Sequence, residues 1–249
     1  MRDQNDEAQG VKPPGGEFRM NDRRVIVCLV ISSLMCLATL AIVVVGLVVD
    51  IPEPVINKRV VAVLVGGCGV VLSLILFASN WPKYGQRVEV FAEGFHFHKG
   101  GQTSTVLWDD VAAVWRSSST IGGSRLIVET DLWIEVRHGK TIYLTSFFLD
   151  MAQLVEIVLA ETSRRMLPAM TSQLQRGQTV AFGAAEVSAT QLVVAGKGLA
   201  WDDVHAINVA HGAIDVLRKP DRCSWYYIPI KKMPNYHLFL ELAEKLLKS

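Results

Sequence analysis

Two stretches of the chain carry no charge, and the remainder alternates. Val25 to Val49 is 25 residues without a charged side chain, and Val60 to Ala78 is 19 more. At about 1.5 Å per residue, either stretch as a helix crosses a hydrocarbon layer of roughly 30 Å. A helix is also what such a segment must be, because hydrocarbon offers bare amides no partner. The connection Asp50-Ile-Pro-Glu-Pro-Val-Ile-Asn-Lys58 is short and holds two prolines, which predicts antiparallel neighbours. Residues 23–80 are therefore read as a transmembrane hairpin with spans about 25–49 and 60–80, preceded by a disordered tail over residues 1–22.

After residue 80 the period of the apolar positions falls to two. Val88, Val90, Phe95 and Phe97 alternate with polar residues, Leu126-Ile-Val128 and Trp133-Ile-Glu-Val-Arg137 follow, and Gly139-Lys140 turns the chain into Thr141-Ile-Tyr-Leu144. The pattern then repeats. Val106-Leu-Trp-Asp-Asp-Val-Ala-Ala-Val114 recurs as Leu199-Ala-Trp-Asp-Asp-Val-His-Ala-Ile207, Trp108 matching Trp201 at an offset of 93. Upstream, Phe95-His-Phe97 matches Leu192-Val-Val194 at an offset of 97, which predicts a turn four residues shorter in the second copy. Each copy ends in an apolar helical stripe: Leu149, Leu154, Val155, Ile157, Val158 and Leu159 in the first, Leu238, Leu240, Leu242, Leu246 and Leu247 in the second. The expected units are 81–168 and 169–249, joined by a linker near Pro168 to Gln178, each with six or seven antiparallel strands closed by a C-terminal helix.

The motif resembles bacterial pleckstrin-homology-like (PH-like) domains, in which a strand ending in W-x-D/E-V/I precedes a turn and a helix plugs an open barrel. It is similar in particular to a family of bacterial membrane proteins with tandem copies of this unit. The matching residues are Val106 to Val111, Leu174 to Gly183, Gly198 to Val204, and Pro234-Asn235 ahead of the last helix. The resemblance implies a membrane α-hairpin plus two α+β PH-like domains, each an open antiparallel barrel capped by a helix. It implies no activity.

Composition sharpens this picture. The 25 basic and 24 acidic residues nearly cancel, so bulk attraction to nucleic acid is not expected. All 49 charged residues fall outside the two apolar stretches, so the other 205 positions are about 24% charged, as in ordinary soluble domains. Cys28, Cys36 and Cys68 lie inside the spans and only Cys223 outside, which excludes a disulfide scaffold or a CxxC metal knuckle. The first span is too long for a cleaved signal core, and neither Cys28 nor Cys36 has the flanking residue of a lipoprotein signal, so it is read as retained. Arg19, Arg23, Arg24, Lys83 and Arg87 outside the spans outnumber Lys58 and Arg59 in the loop, which places both termini in the cytoplasm of a multi-pass inner-membrane protein. Neither span holds an ionisable residue other than cysteine, so transport is not expected. Small residues at helical spacing (Cys28, Ser32, Cys36; Ala62, Gly66, Gly69, Ser73) suit close packing, within the hairpin or between chains of a homo-oligomer.

Few residues suggest chemistry. Trp108, Asp109, Asp110 and Val111, with Trp201, Asp202, Asp203 and Val204, read as a fold motif: adjacent strand residues face opposite ways, and Asp favours turns and caps. Trp108 and Trp201 are expected in the cores with their indole N–H bonded internally. His96 and His98 share one strand face, the spacing that brings two imidazoles to a metal, but no third ligand is near in sequence. Gly100-Gly101 and Gly122-Gly123 read as hairpin turns, since neither opens a helix with a following Lys-Ser/Thr. No nucleophile signature is present, so no catalytic residue, metal or cofactor is assigned. Residues 216–249 carry seven basic against three acidic side chains, and Arg218, Lys219, Arg222, Lys231 and Lys232 are candidates for contact with anionic headgroups. The first hairpins offer only Lys99 and Lys197, which argues against inositide recognition. The expectation is a membrane-anchored, non-enzymatic scaffold presenting two PH-like domains to a protein or lipid partner. The alternatives are an enzyme using His96, His98 and the Asp pairs, and an architectural homo-oligomer assembled through the spans.

Overall fold

The structure, a computed structural model, describes residues 16–48, 58–121, 127–137, 139–210, 212–220 and 222–248. The tail expected over residues 1–22 is corrected at its end: Gly16–Arg19 is a strand, β1, while residues 1–15 lie outside the described set. Two long helices follow, α1 (Asp22–Val48) and α2 (Lys58–Asn80), close to the expected spans. Both are long and apolar enough to cross a membrane, and only 11% of each apolar window is buried. They pack on each other through the small residues. A Cβ on Gly66 would fall 1.9 Å from Val43 Cγ2, and one on Gly69 would fall 2.3 Å from Thr39 Cγ2. Ser32 and Ser73 are buried in the same seam and donate to the carbonyls of Cys28 and Gly69 in their own helices. Ser32, Gly66, Gly69 and Ser73 are thus packed within the chain.

A 3-10 turn, Trp81–Lys83, leads from α2 into β2 (Arg87–Phe91), β3 (Gly94–Lys99) and β4 (Gln102–Leu107). These form one antiparallel sheet in the order β1-β2-β3-β4. β1 pairs with β2 from Gly16↔Val90 to Arg19↔Arg87, so the whole helical hairpin occupies the turn between two neighbouring strands. This corrects the expected start of the first unit at residue 81. Its core needs the upstream segment: Phe18, Met20 and Val25 are buried among Val88, Phe95, Trp108 and Leu154. The second sheet, β5 (Val111–Ile121), β6 (Ile127–Val136) and β7 (Thr141–Leu144), follows a 3-10 turn at Trp108–Asp110. Gly122-Gly123 lies outside the described residues.

Helix α3 (Met151–Gln175) runs through Pro168, so the linker expected there is corrected. A single helix serves both units: Leu154, Val155 and Val158 cap the first core, while Met166, Leu167, Met170 and Leu174 pack on the second. Leu149, assigned to the helical stripe, precedes the helix and is exposed. The second unit repeats the order of elements. Strands β8 (Val180–Phe182), β9 (Ala185–Val187), β10 (Gln191–Val194) and β11 (Lys197–Ala200) form a four-stranded sheet. A 3-10 turn at Trp201–Asp203, the three-stranded sheet β12 (Val204–Ala210), β13 (Ala213–Arg218) and β14 (Cys223–Pro229), and α4 (Tyr236–Leu247) complete it. The four-residue difference between copies does not lie in the turn, which is two residues in both. β3 and β4 have six residues each and β10 and β11 four, so the difference is strand length. Matching details recur: the second Asp of each pair gives its carbonyl to the amide of Arg137 or Lys219, both at 2.8 Å. Asp150 and Asn235 stand ahead of the two helices in the same left-handed conformation, φ 55° and 53°.

The tryptophans differ. Trp201 donates its indole N–H to the Ser188 carbonyl at 2.9 Å, whereas the buried indole nitrogen of Trp108 has no partner. The connection between β9 and β10 carries the Ser188 carbonyl; in the first unit that connection is one residue shorter and Phe91 is paired with Gly94 instead. Trp108→Ala or Trp201→Ala is expected to cost about 3–5 kcal/mol. Trp201→Phe should cost about 1 kcal/mol more than Trp108→Phe, because only the former abandons a hydrogen bond; denaturant unfolding of the solubilised full chain checks both.

The joint between units is polar and specific. Asn235 N–H donates to Val114 O and Val114 N–H to Asn235 Oδ1, both at 2.8 Å. His237 lies buried with Nε2 3.0 Å from Thr162 Oγ1 on α3, and Ser163 donates to Glu241 at 2.7 Å. Burial lowers the His237 pKa from 6.5 to about 4. The folded protein therefore refuses a proton that the unfolded chain accepts. Stability from neutral His237 is complete above about pH 6.5 and is lost as pH falls toward 4. The loss, about 3 kcal/mol, should vanish in His237→Gln, read as the difference between the two proteins' unfolding free energies at pH 7.5 and 4.5.

Candidate functional site

The residues singled out from sequence are spread over the molecule. The Asp pairs sit in the 3-10 turns Trp108–Asp110 and Trp201–Asp203. Asp109 pairs with Arg165 of α3 at 2.7 Å. Val111 and Val204 are fully buried and begin the second sheets. His96 and His98 face outward, opposite buried Phe95 and Phe97, with each Nδ1 on a threonine hydroxyl of β4: Thr105 at 2.9 Å and Thr103 at 2.8 Å. The acid lacking nearby in sequence is supplied across the strand pair by Glu89, 3.3 Å from His98 Nε2, but Glu89 also lies 3.4 Å from Arg87. Among the described residues no group of three or more His, Cys, Asp or Glu could hold a metal ion.

The C-terminal basic residues form two groups. Arg218, Lys219 and Arg222 surround the β13–β14 turn, where Lys219 Nζ donates to the Asp202 carbonyl at 2.9 Å. Lys231 and Lys232 follow the far end of β14. Seven strand residues, roughly 20 Å, separate the groups.

A different basic site is assembled by the fold. At the end of α2, a cleft of about 660 Å³ opens between the 3-10 turn at Trp81–Lys83, the β3–β4 hairpin and β7. Three lysines line it: Lys83 from the turn, Lys99 at the end of β3 and Lys140 just before β7. Lys140 donates to Ser104. Lys83 donates to Asn80 Oδ1 at 3.2 Å and lies 5.0 Å above the Phe147 ring. Among the described residues none of the three makes an ion pair, and the described lining holds no carboxylate, histidine or cysteine. Tyr143 adds a phenol that remains protonated, since burial and then its hydrogen bond to Asp131 push its pKa up to about 12. Trp81 and Tyr84 stand exposed beside the cleft.

Sequence reasoning missed this convergence because Lys83 and Lys140 are 57 residues apart. Their meeting depends on the helical hairpin standing in the β1–β2 turn, which delivers Lys83 to the end of the sheet where Gly100-Gly101 and Gly139-Lys140 also turn the chain. The glycine turns were visible in sequence, but the partner of β2 was not.

Fold and cleft together define an α+β protein with two helices of membrane-spanning length and a cationic recess at their foot. The chain belongs to a family of unknown function, DUF6585, whose profile matches residues 10–249. A comparison with curated proteins finds no match.

Proposed function

We propose that the protein is a membrane-anchored, non-enzymatic binding module whose first unit holds the phosphate of an anionic lipid headgroup in the lysine cleft. The observation that carries this reading is the convergence of Lys83, Lys99 and Lys140 on one recess whose described lining holds no acid, the Asp131 carboxylate lying behind the Tyr143 hydroxyl. Three uncompensated cations repel one another, and a multivalent anion relieves that repulsion; each adds about 1 kcal/mol near an anionic leaflet. The Ser104 hydroxyl accepts from Lys140 and keeps its own proton for a phosphate oxygen, whereas the Tyr143 proton is already donated to Asp131.

In this reading α1 and α2 span the bilayer. Pairing of β1 with β2 supports both hairpin ends lying on one side, and the basic flanks favour the cytoplasmic face. Exposed Trp81 and Tyr84 then lie at headgroup depth. The two units are PH-like: seven strands in sheets of four and three, a Trp-Asp-Asp turn between sheets, and a closing helix, twice in the same order.

The test uses the full chain in phosphatidylcholine nanodiscs doped with phosphatidylglycerol or a phosphoinositide, followed by native mass spectrometry of retained lipid. Anionic lipid should be retained over neutral lipid. Each Lys→Gln change at 83, 99 or 140 should weaken retention about fivefold, and Lys→Arg should preserve it. Equal retention by wild type and the triple Gln variant would reject the cleft, and selection of a phosphoinositide over phosphatidylglycerol would define its chemistry. Topology is checked separately in intact cells: an impermeant thiol reagent should label Asn57→Cys and spare Cys223.

A further inference from the structure

The joint between the two units carries a second recess, of about 460 Å³, that the lipid reading leaves unused. Arg116 and Ser117 of β5 form one wall; Val209 and Gly212 at the β12–β13 turn, Tyr227 of β14 and Lys231 form the other. Among the described lining residues the charge is of one sign, Arg116 and Lys231 with no acid, and Val209 and Tyr227 are about half exposed, at 50% and 53%.

Two features give this groove a direction and a chemistry. The first is the free edge of β5. That strand pairs only with β6, and on its other side Asn235 bonds both the N–H and the C=O of Val114, as a strand residue would, before the chain leaves into α4. In an antiparallel ladder, alternate residues point their amides the same way, so Arg116, Ser118 and Thr120 present theirs on the side Asn235 has used. Among the described residues no strand pairs with that edge, although the 3-10 turn Ile230–Lys232 packs against β5 and closes one end of the groove. Six residues from Arg116 to Ile121 give roughly 20 Å of template. The second is Arg116 itself. One guanidinium nitrogen donates to the Tyr236 hydroxyl at 3.0 Å, while its buried Nε has no partner. A buried donor without an acceptor is costly, and a carboxylate is the acceptor a guanidinium fits best.

We propose that this groove docks an extended, acidic segment of a partner protein, which adds as a strand to β5 beyond Asn235 and places a carboxylate on Arg116, with Lys231 beside it. Backbone pairing supplies position, and the two cations with the apolar Val209 and Tyr227 supply selection. The site is separate from the lysine cleft and does not depend on its occupancy.

The probe is a displayed library of random ten-residue peptides, selected on the full chain in phosphatidylcholine nanodiscs; enriched peptides are synthesised and titrated by fluorescence anisotropy. Enriched sequences should carry Asp or Glu within a β-branched run, and N-methylation at alternate backbone positions should abolish binding. Arg116→Gln should weaken binding tenfold or more. Because Arg116 also bonds Tyr236, exposed Lys231 provides the independent variant, with Lys231→Glu expected to weaken binding at least tenfold at unchanged thermal stability. The Lys83, Lys99 and Lys140 triple Gln variant should bind the peptides normally, which separates this proposal from the lipid reading. Enrichment without acidic residues, or affinity indifferent to Lys231→Glu and Arg116→Gln, overturns it. So does concentration-dependent dimerisation in detergent that Tyr227→Glu abolishes, since a second copy would then be the occupant.

Discussion

The rest of the structure hangs on four residue pairs between β1 and β2. Each strand is attached to one end of the helical hairpin, so their ladder clamps the hairpin at its base. Around it the backbone is bolted further: Met20 N–H donates to Gln86 O, Asn21 N–H to Phe147 O, and Leu149 N–H to Arg19 O, all between 2.7 and 3.0 Å. A domain tethered by one linker swings; one joined at two hydrogen-bonded points does not. The clamp also brings Lys83 against the β3–β4 hairpin and buries Val25 of α1 in the same core as Trp108. The helical hairpin and the first unit are thus one body, and the cleft is a product of their union.

The second constraint is the continuity of α3. A helix of 25 residues is about 38 Å long, enough to serve as the closing helix of one unit and a packing surface for the next. Pro168 within it is compatible with that role because the helix is held by apolar contacts on both sides of the proline, Leu159 among residues shared by the two cores. With Asn235 fastened to Val114 and His237 to Thr162, the units meet through directional polar bonds as well as apolar surface. The groove between them is consequently a defined shape.

Much of the architecture was legible in the chain. The uncharged stretches located α1 and α2 within a few residues, the repeated Trp-Asp-Asp-Val located the break between sheets in each unit, and the alternation located the central strands. The failures share one cause, which is that local pattern does not report distant pairing. Gly16-Glu-Phe-Arg19 is too short and polar to announce a strand, and its partner lies beyond 67 intervening residues. Pro168 is a reasonable helix breaker by propensity, yet tertiary packing on both sides overrode it. The lysine cleft was hidden for the same reason as β1, and Arg116 gave no signal because its isolation is a property of the joint. The shared strand face of His96 and His98 is legible from their spacing, but the nearness of Glu89 across the strand pair is not.

The placement of β1 ahead of the helices also orders events during synthesis. The strand emerges first and has no partner until both helices and then β2 have been made, and closing a loop of 67 residues without them would carry a substantial entropic cost. Antiparallel seating of α1 on α2 removes most of that cost by bringing the two loop ends side by side. Pairing of the helices thus favours completion of the first four-stranded sheet, and a chain without it carries β2 as a bare edge, open to pairing with other polypeptides. In this arrangement the sheet acts as a proofreader of the helical hairpin.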